Sequence, residues 1–277
     1  AEGRLGKLWR TVQLMDSDEI PGAWVELKVL GRKLKVKSDG EGFFKVDLKG
    51  PLKAGAHKVS ARLMGTGRPN RAGPGELKVW PSEPGVAVIS DMDDTLLRTG
   101  VTNKARMLKR VIFSNALDLR AFSHAPALYR AWARRGYPLV FVSGSPFNLY
   151  PRLTRFIKLQ GLPASPLLLK DFGTDSLTEQ VAYKLKKIFE VMALLPGYRF
   201  ILVGDSGEKD PEVYRAIQAR RPEAVVVTLI HRVTNEHMRA PRFKGQILFN
   251  FYSGLARGLG RLGLLTDGEV KQVEAAP

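Results

Sequence analysis

The sequence predicts an α/β fold in which a parallel β-sheet carries helices on both faces, preceded by a small all-β sandwich. Residues 23–80 alternate polar and apolar side chains between turn residues, which is typical of half-buried strands. Beyond residue 85, short apolar runs alternate with longer helical patterns, as in a parallel sheet covered on both faces. The segment "PSEPG" separates these regions, so we expect a β-domain over 1–82 and an α/β domain over 83–277.

The N-terminal region contains short strand-like segments, among them "AWVELKVLG", "KLKVKSDG", "GFFKVDL" and "ELKVWP". Glycine and aspartate punctuate them, and no convincing helical pattern intervenes, which favours a sandwich. The segment "SDGEGFF" resembles the turn and strand of transthyretin-like or carboxypeptidase-regulatory-like β-domains. That resemblance implies the same all-β fold.

The C-terminal region contains five apolar runs that we interpret as buried strands: "VAVIS", "PLVFVS", "PLLL", "RFILVG" and "AVVVTLI". Four helical patterns lie between them: "APALYRAWARRG", "LYPRLTRFIKLQG", "LTEQVAYKLKKIFEVMALLPG" and "DPEVYRAIQARR". Ligands of such sheets bind beyond the carboxyl ends of the strands. Polar residues at those ends are therefore the first candidates for a functional site.

Composition limits the class of partner and of chemistry. The 277 residues carry 44 Lys and Arg against 27 Asp and Glu, a net charge of +17, which favours anionic partners such as phosphate esters, nucleic acid or acidic lipid. The absence of cysteine excludes disulfides and thiolate chemistry within this chain. No window reaches the roughly 18 to 20 apolar residues of a membrane span. A start at Ala1 fits loss of an initiator methionine or of a cleaved leader, so the compartment stays open. A cytoplasmic or membrane-peripheral location is favoured over export.

Three of the predicted strand ends carry clustered polar residues. They are Asp91, Asp93 and Asp94 after the first strand, Ser143 and Ser145 after the second, and Asp205 and Asp210 after the fourth. If the first and fourth strands are neighbours, Asp91 and Asp205 can converge on one hard divalent cation. Mg²⁺ prefers such oxygen ligands and would offset the clustered negative charge, so the sequence predicts a Mg²⁺ site.

Two carboxylates two residues apart at a strand end are suited to covalent phosphoryl transfer. Asp91 would attack phosphorus, and Asp93 would protonate the leaving oxygen and later deprotonate water. Ser143 would donate a hydrogen bond to a phosphoryl oxygen, and a lysine would supply positive charge. Lys184 is the first candidate for that lysine, and Lys186 and Lys187 are the alternatives.

These elements resemble those of the haloacid-dehalogenase superfamily of aspartate phosphatases. The matching positions are D-x-D-x-T at Asp91, Asp93 and Thr95, the strand-end serine at Ser143, the helical lysine at Lys184, and G-D-x-x-x-x-D at Gly204, Asp205 and Asp210. Over about Pro84 to Arg232, the sequence is similar to the catalytic-domain family of actin-patch-type phosphatidate phosphatases. The segments that carry the similarity are "VISDMDDTLLRTGV", "FVSGSPFNLYPRL", "YKLKKI" and "LVGDSGEKDPEVY". The resemblance implies a haloacid-dehalogenase-like Rossmannoid sheet and a Mg²⁺-dependent phosphatase that acts on phosphatidate.

The resemblance also implies a role for each matching residue. Asp91, Asp205 and the backbone carbonyl of Asp93 would ligate the metal. The implied substrate-binding or orienting residues are Thr95, Ser145, Asp210 and Arg232. Gly144 departs from the polar residue expected between the two serines, a change that we expect to alter loop flexibility rather than chemistry.

Three functions are compatible with these sequence features. The short insertion between Asp91 and Ser143 predicts a minimal cap, and an open site fits a bulky substrate, for which a lipid headgroup is favoured. The same chemistry on a nucleic-acid end is the less favoured alternative, and a non-catalytic scaffold or lipid-binding protein is the third. The segments 103–122 and 251–265 are interpreted as core-packing helices, with peripheral contact to an anionic membrane as the alternative.

Overall fold

A computed structural model describes residues 20–40, 42–50, 52–65, 72–98, 119–170 and 180–277. The chain divides into two compact units, one within residues 16–82 and the other containing residues 83–277. The predicted helix over 103–122 falls largely outside the described residues. The fold class predicted from the sequence is confirmed, because an antiparallel β-unit precedes a parallel sheet flanked by helices.

The N-terminal unit contains one four-stranded antiparallel sheet in the order β2-β1-β3-β4. Its strands are β1 (Trp24–Val29), β2 (Arg32–Lys37), β3 (Gly55–Leu63) and β4 (Gly73–Val79). Leu30 and Gly31 join β1 to β2 with φ angles of 50° and 74°, a backbone that matches the twist of a two-residue hairpin. The predicted strand "GFFKVDL" instead lies outside these ladders, so the described part of this unit forms a single sheet.

The C-terminal unit contains a six-stranded sheet in the order β10-β9-β8-β5-β6-β7, with every neighbouring pair parallel. Its strands are β5 (Val86–Ser90), β6 (Leu139–Pro146), β7 (Leu167–Lys170), β8 (Arg199–Asp205), β9 (Val225–His231) and β10 (Ile247–Phe249). The first five correspond to the predicted apolar runs. The three-residue β10 was not predicted, because it is too short to show a pattern.

Six α-helices are described in this unit. They are α1 (Ala125–Arg134), α2 (Tyr150–Leu159), α3 (Gln180–Leu194), α4 (Asp210–Arg220), α5 (Tyr252–Arg261) and α6 (Asp267–Glu274). The first four correspond to the four predicted patterns, and α5 occupies the glycine-containing segment 251–265. Helix α6 begins with a capping box in which Thr266 and Glu269 satisfy each other's backbone amides.

Alternate residues of the central strands pack against different helices. Val88, Ile201 and Val203 join a buried cluster with side chains of α1, α2, α5 and α6. Their strand neighbours Ala87 and Leu202 are also buried but lie outside this cluster, because successive side chains of a strand point to opposite faces. Helices α3 and α4 bury their own apolar side chains apart from that cluster. The central strands are therefore covered on both faces, which leaves their carboxyl ends as the polar edge.

Two glycines of α5 provide a test of this packing. A methyl group added at Gly258 meets no atom within 4 Å, whereas one added at Gly260 lies 2.9 Å from Cγ2 of Val270 in α6. We expect Gly258→Ala to raise the free energy of unfolding by about 0.5–1 kcal/mol, since alanine restricts the unfolded chain and favours a helix. Gly260→Ala is the matched control and should give no such gain, because its methyl group presses on Val270. Urea denaturation measures both, and an equal gain at the two positions would contradict this packing of α5 on α6.

Candidate active site

The carboxyl ends of β5 and β8 bring three buried carboxylates together. The two strands are parallel neighbours, with Ser90 opposite Val203, so Asp91 and Asp205 follow from adjacent strand ends. Asp210 is the first residue of α4 and returns to the same point. One carboxylate oxygen from each of Asp91, Asp205 and Asp210 lies within 4.8 Å of the others, and all three residues are fully buried. The adjacency on which the predicted metal site depends is therefore present.

A buried lysine lies among these carboxylates. Lys184 of α3 donates to Oδ1 of Asp91 at 2.8 Å and to Oδ1 of Asp210 at 2.5 Å, and its Nζ is 3.6 Å from Oε2 of Glu208. Of the two alternatives, Lys186 is exposed and Lys187 pairs with Glu190 on the helix surface. Lys184 is thus the lysine of α3 that the structure brings to Asp91.

Burial and charge shift the ionisation of these groups. Desolvation raises the pKa of Asp91 well above its usual value, although Lys184 opposes the shift. Desolvation likewise raises the pKa of Asp205, and its neighbour Asp210 adds to the effect. Desolvation by itself lowers the pKa of Lys184, but Asp210 and Asp91 outweigh it and raise that pKa well above normal. The cluster therefore holds a charged lysine, and its carboxylates, if all ionised, would carry more negative charge than this lysine can neutralise.

Two serines hold Asp93 in a fixed orientation. The hydroxyls of Ser143 and Ser145 each donate to Oδ2 of Asp93 at 2.7 Å, and the amide of Ser145 donates to Oγ of Ser143 at 2.9 Å. Desolvation raises the pKa of Asp93, and the charge of Glu208 adds to the rise. Among the described residues Oδ1 of Asp93 has no hydrogen-bond partner, although it is buried. A proton on Asp93 would therefore lie on Oδ1.

Thr95 supports the nucleophile candidate from the same loop. Its hydroxyl donates to Oδ2 of Asp91 at 3.2 Å. The backbone carbonyl of Thr95 accepts a 2.7 Å bond from the hydroxyl of Tyr252 in α5. The loop after β5 is thus fixed to α5, the helix that follows β10 in the sequence.

The acidic cluster fits a hard divalent cation. Oδ1 of Asp205 accepts hydrogen bonds from the backbone amides of Gly207 and Glu208 at 2.5 and 3.1 Å. Oδ2 of Asp205 is buried and has no hydrogen-bond partner among the described residues. An orphaned buried carboxylate oxygen is costly unless a proton or a cation satisfies it. Both oxygens of Asp210 are engaged, by Lys184 and by the amide of Asp205. Oδ2 of Asp205 is therefore the oxygen of this cluster that is most open to a cation. Both oxygens of Asp91 are engaged, by Lys184 and by Thr95, as are those of Asp210.

The conformation of the 205–210 loop depends on residues that the sequence did not indicate. Arg242 donates to the carbonyls of Ser206 and Glu208 and pairs with the carboxylates of Glu212 and Glu236 at 2.9 and 3.1 Å. Contacts between residues about 30 positions apart depend on tertiary packing, so no local pattern reveals them. Arg242 holds the loop that positions Asp205 and Asp210.

Glycine is required at Gly204 for close approach. A methyl group there would lie 2.6 Å from Cβ of Asp210 and 2.7 Å from Cε2 of Tyr214. At Gly144 the added atom would instead meet Nε2 of Gln180 at 2.8 Å, the end of a side chain that can move. Gly144 therefore leaves room for Gln180, a side chain that also donates to the carboxylate of Glu208.

The remaining candidates lie to one side of the cluster. Asp94 adopts a left-handed φ of 53°, and its carbonyl pairs with Nδ1 of His231 at 2.8 Å. Arg232 follows β9 and donates to Oδ1 of Asn250 at 3.3 Å and to the carbonyl of Glu236 at 3.4 Å. The described contacts of Arg232 include no carboxylate of the acidic cluster. Asp94 and Arg232 instead line a neighbouring cavity.

Buried carboxylates at the strand ends of an α/β domain, with a buried lysine among them, form a site that could hold a metal ion and support phosphoryl transfer. Residues 86–232, just over half of the chain, match the family model described as phosphatidate phosphatase APP1, catalytic domain. The chain belongs to this family, as the sequence resemblance predicted.

Two curated relatives extend the comparison. Phosphatidate phosphatase APP1 of Saccharomyces cerevisiae is 28% identical over 169 residues, which is 59% of this chain and 29% of that protein. An uncharacterised protein of Schizosaccharomyces pombe is 25% identical over 224 residues, which is 76% of this chain and 36% of that protein. This chain therefore spans about a third of the length of the relatives that it matches.

Solved structures show more distant similarity. A chain of the Pnkp1/Rnl/Hen1 complex is 18% identical, with a TM-score of 0.41 over 56% of this chain and 48% of that one. The class C acid phosphatase of Bacillus anthracis with tungstate bound is 13% identical, with a TM-score of 0.37 over 69% of this chain and 78% of that one.

Within the part of this chain that the structure describes, no helix has the length and apolar character needed to cross a membrane.

The close approach at Gly204 leads to a prediction. We expect Gly204→Ala to lower the free energy of unfolding by about 1–3 kcal/mol, because the methyl group overlaps Asp210 and Tyr214 in a packed region. The displaced Asp210 should also weaken its hold on Lys184, so activity should fall further than stability alone explains. Gly144→Ala is the control, since mobile Gln180 can yield. Denaturation and phosphatase assays of both variants test this, and unchanged stability in Gly204→Ala would contradict the geometry.

Proposed function

We propose that this protein is a Mg²⁺-dependent phosphatase that hydrolyses a phosphomonoester, with phosphatidate as substrate and diacylglycerol as product, through an aspartyl-phosphate intermediate. The observation that carries the proposal is the pairing at one sheet edge of buried Asp91, held by Lys184, with Asp93, whose Oδ1 has no partner among the described residues. Membership of the phosphatidate phosphatase catalytic-domain family supports the substrate class.

The first half of the reaction is transfer of the phosphoryl group to the protein. A carboxylate oxygen of Asp91 attacks phosphorus, and the bond to the alcohol oxygen breaks. The proton on Oδ1 of Asp93 passes to that oxygen, because Oδ2 is already held by Ser143 and Ser145. The raised pKa of Asp93 favours the protonated form that this step needs.

The second half is hydrolysis of the aspartyl phosphate. Asp93, now a carboxylate, removes a proton from water, and the water oxygen attacks phosphorus to regenerate Asp91 and release phosphate. Lys184 faces the carboxylate of Asp91 throughout and neutralises charge on the transferring group. Ser143 donates to Asp93. Rotation of its hydroxyl would allow it to donate to a phosphoryl oxygen while Ser145 keeps Asp93 in place.

The metal would be held by Asp91, Asp205 and the backbone carbonyl of Asp93. When bound, Mg²⁺ supplies a positive charge that offsets the clustered carboxylates and polarises a phosphoryl oxygen. Asp210 orients Lys184 and the amide of Asp205 rather than the metal directly. The buried oxygen of Asp205 that has no described partner is the feature of this chain that most directly favours a cation.

A lipid-phosphate assay tests the function. With Mg²⁺ and phosphatidate in detergent micelles, we expect phosphate release that falls at least about 1,000-fold in Asp91→Asn, because the amide cannot form the intermediate. Asp267→Asn, the same change of charge at an exposed helix start, should keep full activity.

The outcomes of this assay separate the competing functions. Release that persists in Asp91→Asn would contradict the mechanism. Faster turnover of 5′-phosphorylated oligonucleotides than of phosphatidate would contradict the lipid substrate. Tight lipid binding without turnover of any phosphate ester would favour the scaffold alternative.

The cation requirement has its own prediction, with stability as the readout. Mg²⁺ at about 100 times its dissociation constant should add about 2.7 kcal/mol to the free energy of unfolding, since it binds the folded site. Asp205→Asn should lose this gain, although without Mg²⁺ it should be no less stable than the parent, because one buried carboxylate has been removed from a repulsive cluster. Thermal melts with and without Mg²⁺ measure both effects, and an equal Mg²⁺ response in the two proteins would contradict the site.

A further inference from the structure

A cavity of about 700 Å³ lies beside the candidate active site, at the carboxyl ends of β9 and β10. Its walls include the acidic Asp94, the basic Arg98 and Arg232, and the aromatic Phe122, Phe251 and Tyr252. The volume falls within the roughly 300–1,000 Å³ of typical small-molecule sites. None of the steps described above uses this cavity.

The cavity is joined to the catalytic loop through shared residues. Asp94 directly follows the proposed acid Asp93, so their Cα atoms are about 3.8 Å apart. Tyr252, in the cavity wall, donates to the carbonyl of Thr95, and His231 binds the carbonyl of Asp94. In the proposed reaction, the oxygen of the leaving alcohol takes the proton of Asp93. That oxygen therefore lies next to this cavity, which has room for the rest of the alcohol.

The lining combines two kinds of contact. Arg98 and Arg232 are hydrogen-bond donors, and the described side-chain bonds of Arg232, at 3.3 and 3.4 Å, are long enough to yield to a ligand. Phe122, Tyr252 and Phe251 supply apolar surface, and Phe251 is 73% exposed at the rim. A ligand with oxygen acceptors next to hydrocarbon matches this lining, whereas a purely ionic ligand would leave the aromatic walls unused.

We propose that this cavity binds the diacylglycerol part of the substrate, with the arginines donating to the ester carbonyls and the aromatic side chains contacting the first methylenes of the acyl chains. The inference rests on the proposed function for the identity of the ligand, and it deepens that function by assigning lipid selectivity to residues outside the catalytic cluster. The distal parts of the chains extend beyond a cavity of this size, past Phe251 at its rim.

A comparison of two substrates tests the proposal. Dioctanoyl phosphatidate carries ester groups and short chains, whereas 4-nitrophenyl phosphate presents the reacting group without them. In Arg98→Ala and in Phe251→Ala, we expect the ratio of kcat/KM for the lipid to kcat/KM for the aryl phosphate to fall about tenfold.

Leu194→Ala is the matched control. Leu194 is 77% exposed, close to the 73% of Phe251, but it ends α3, the helix that leads into the amino end of β8. The ratio should be unchanged in this variant. An unchanged ratio in Phe251→Ala and Arg98→Ala would overturn the proposal, whether kcat/KM stays the same for both substrates or falls equally for both.

A binding measurement separates this inference from the proposed function. Titration calorimetry of dioctanoylglycerol into Asp91→Asn protein with Mg²⁺ should show binding that weakens about tenfold when Phe251→Ala is added. If no phosphate ester is turned over but this Phe251-dependent binding is present, the proposed function fails and the cavity assignment stands. If phosphatidate is hydrolysed but dioctanoylglycerol binding is absent or independent of Phe251, the cavity assignment fails alone.

Discussion

The site depends on an imbalance of buried charge. Asp91, Asp93, Asp205 and Asp210 are all buried at one sheet edge, and Lys184 is the cation that the described structure places among them. Isolated charges cannot remain in such a place, because desolvation costs far more than a single ion pair returns. The excess must be neutralised by protons, which the raised pKa values favour, or by a cation. The same charge imbalance that would destabilise an empty site would thus favour the binding of a divalent ion.

The scaffold produces this imbalance through strand order. Parallel pairing of β5 with β8 puts Asp91 and Asp205 side by side, although 113 positions separate them in sequence. Gly204 then lets Asp210 return against the strand, and Arg242 holds the intervening loop. Each of these contacts fixes a carboxylate before any substrate binds. Such preorganisation reduces the reorganisation needed during phosphoryl transfer.

The predictable part of the structure is the part encoded in local patterns. The five apolar runs and the residues at their ends are local, so the sequence predicts β5 to β9 and the cluster around Asp91. Strand β10 has three residues, Arg242 acts across about 30 positions, and the cavity is lined from four separate segments. The N-terminal run "GFFKVDL" has the alternation of a strand but no ladder partner in the described residues, because pairing depends on neighbours that local sequence does not specify.

Asp94 connects the chemistry to the proposed selectivity. Neither reaction step needs a third carboxylate, but the chain turns there at φ 53°, a conformation that aspartate tolerates better than most residues. That turn presents the Asp94 carbonyl to His231 and places Asp94 in the cavity wall, while Asp93 faces the serines. Burial lowers the pKa of His231 and favours its neutral form, which suits an uncharged contact with the carbonyl. The loop therefore divides its residues between two neighbouring spaces, the one proposed for the phosphoryl chemistry and the one proposed for the alcohol part of the substrate.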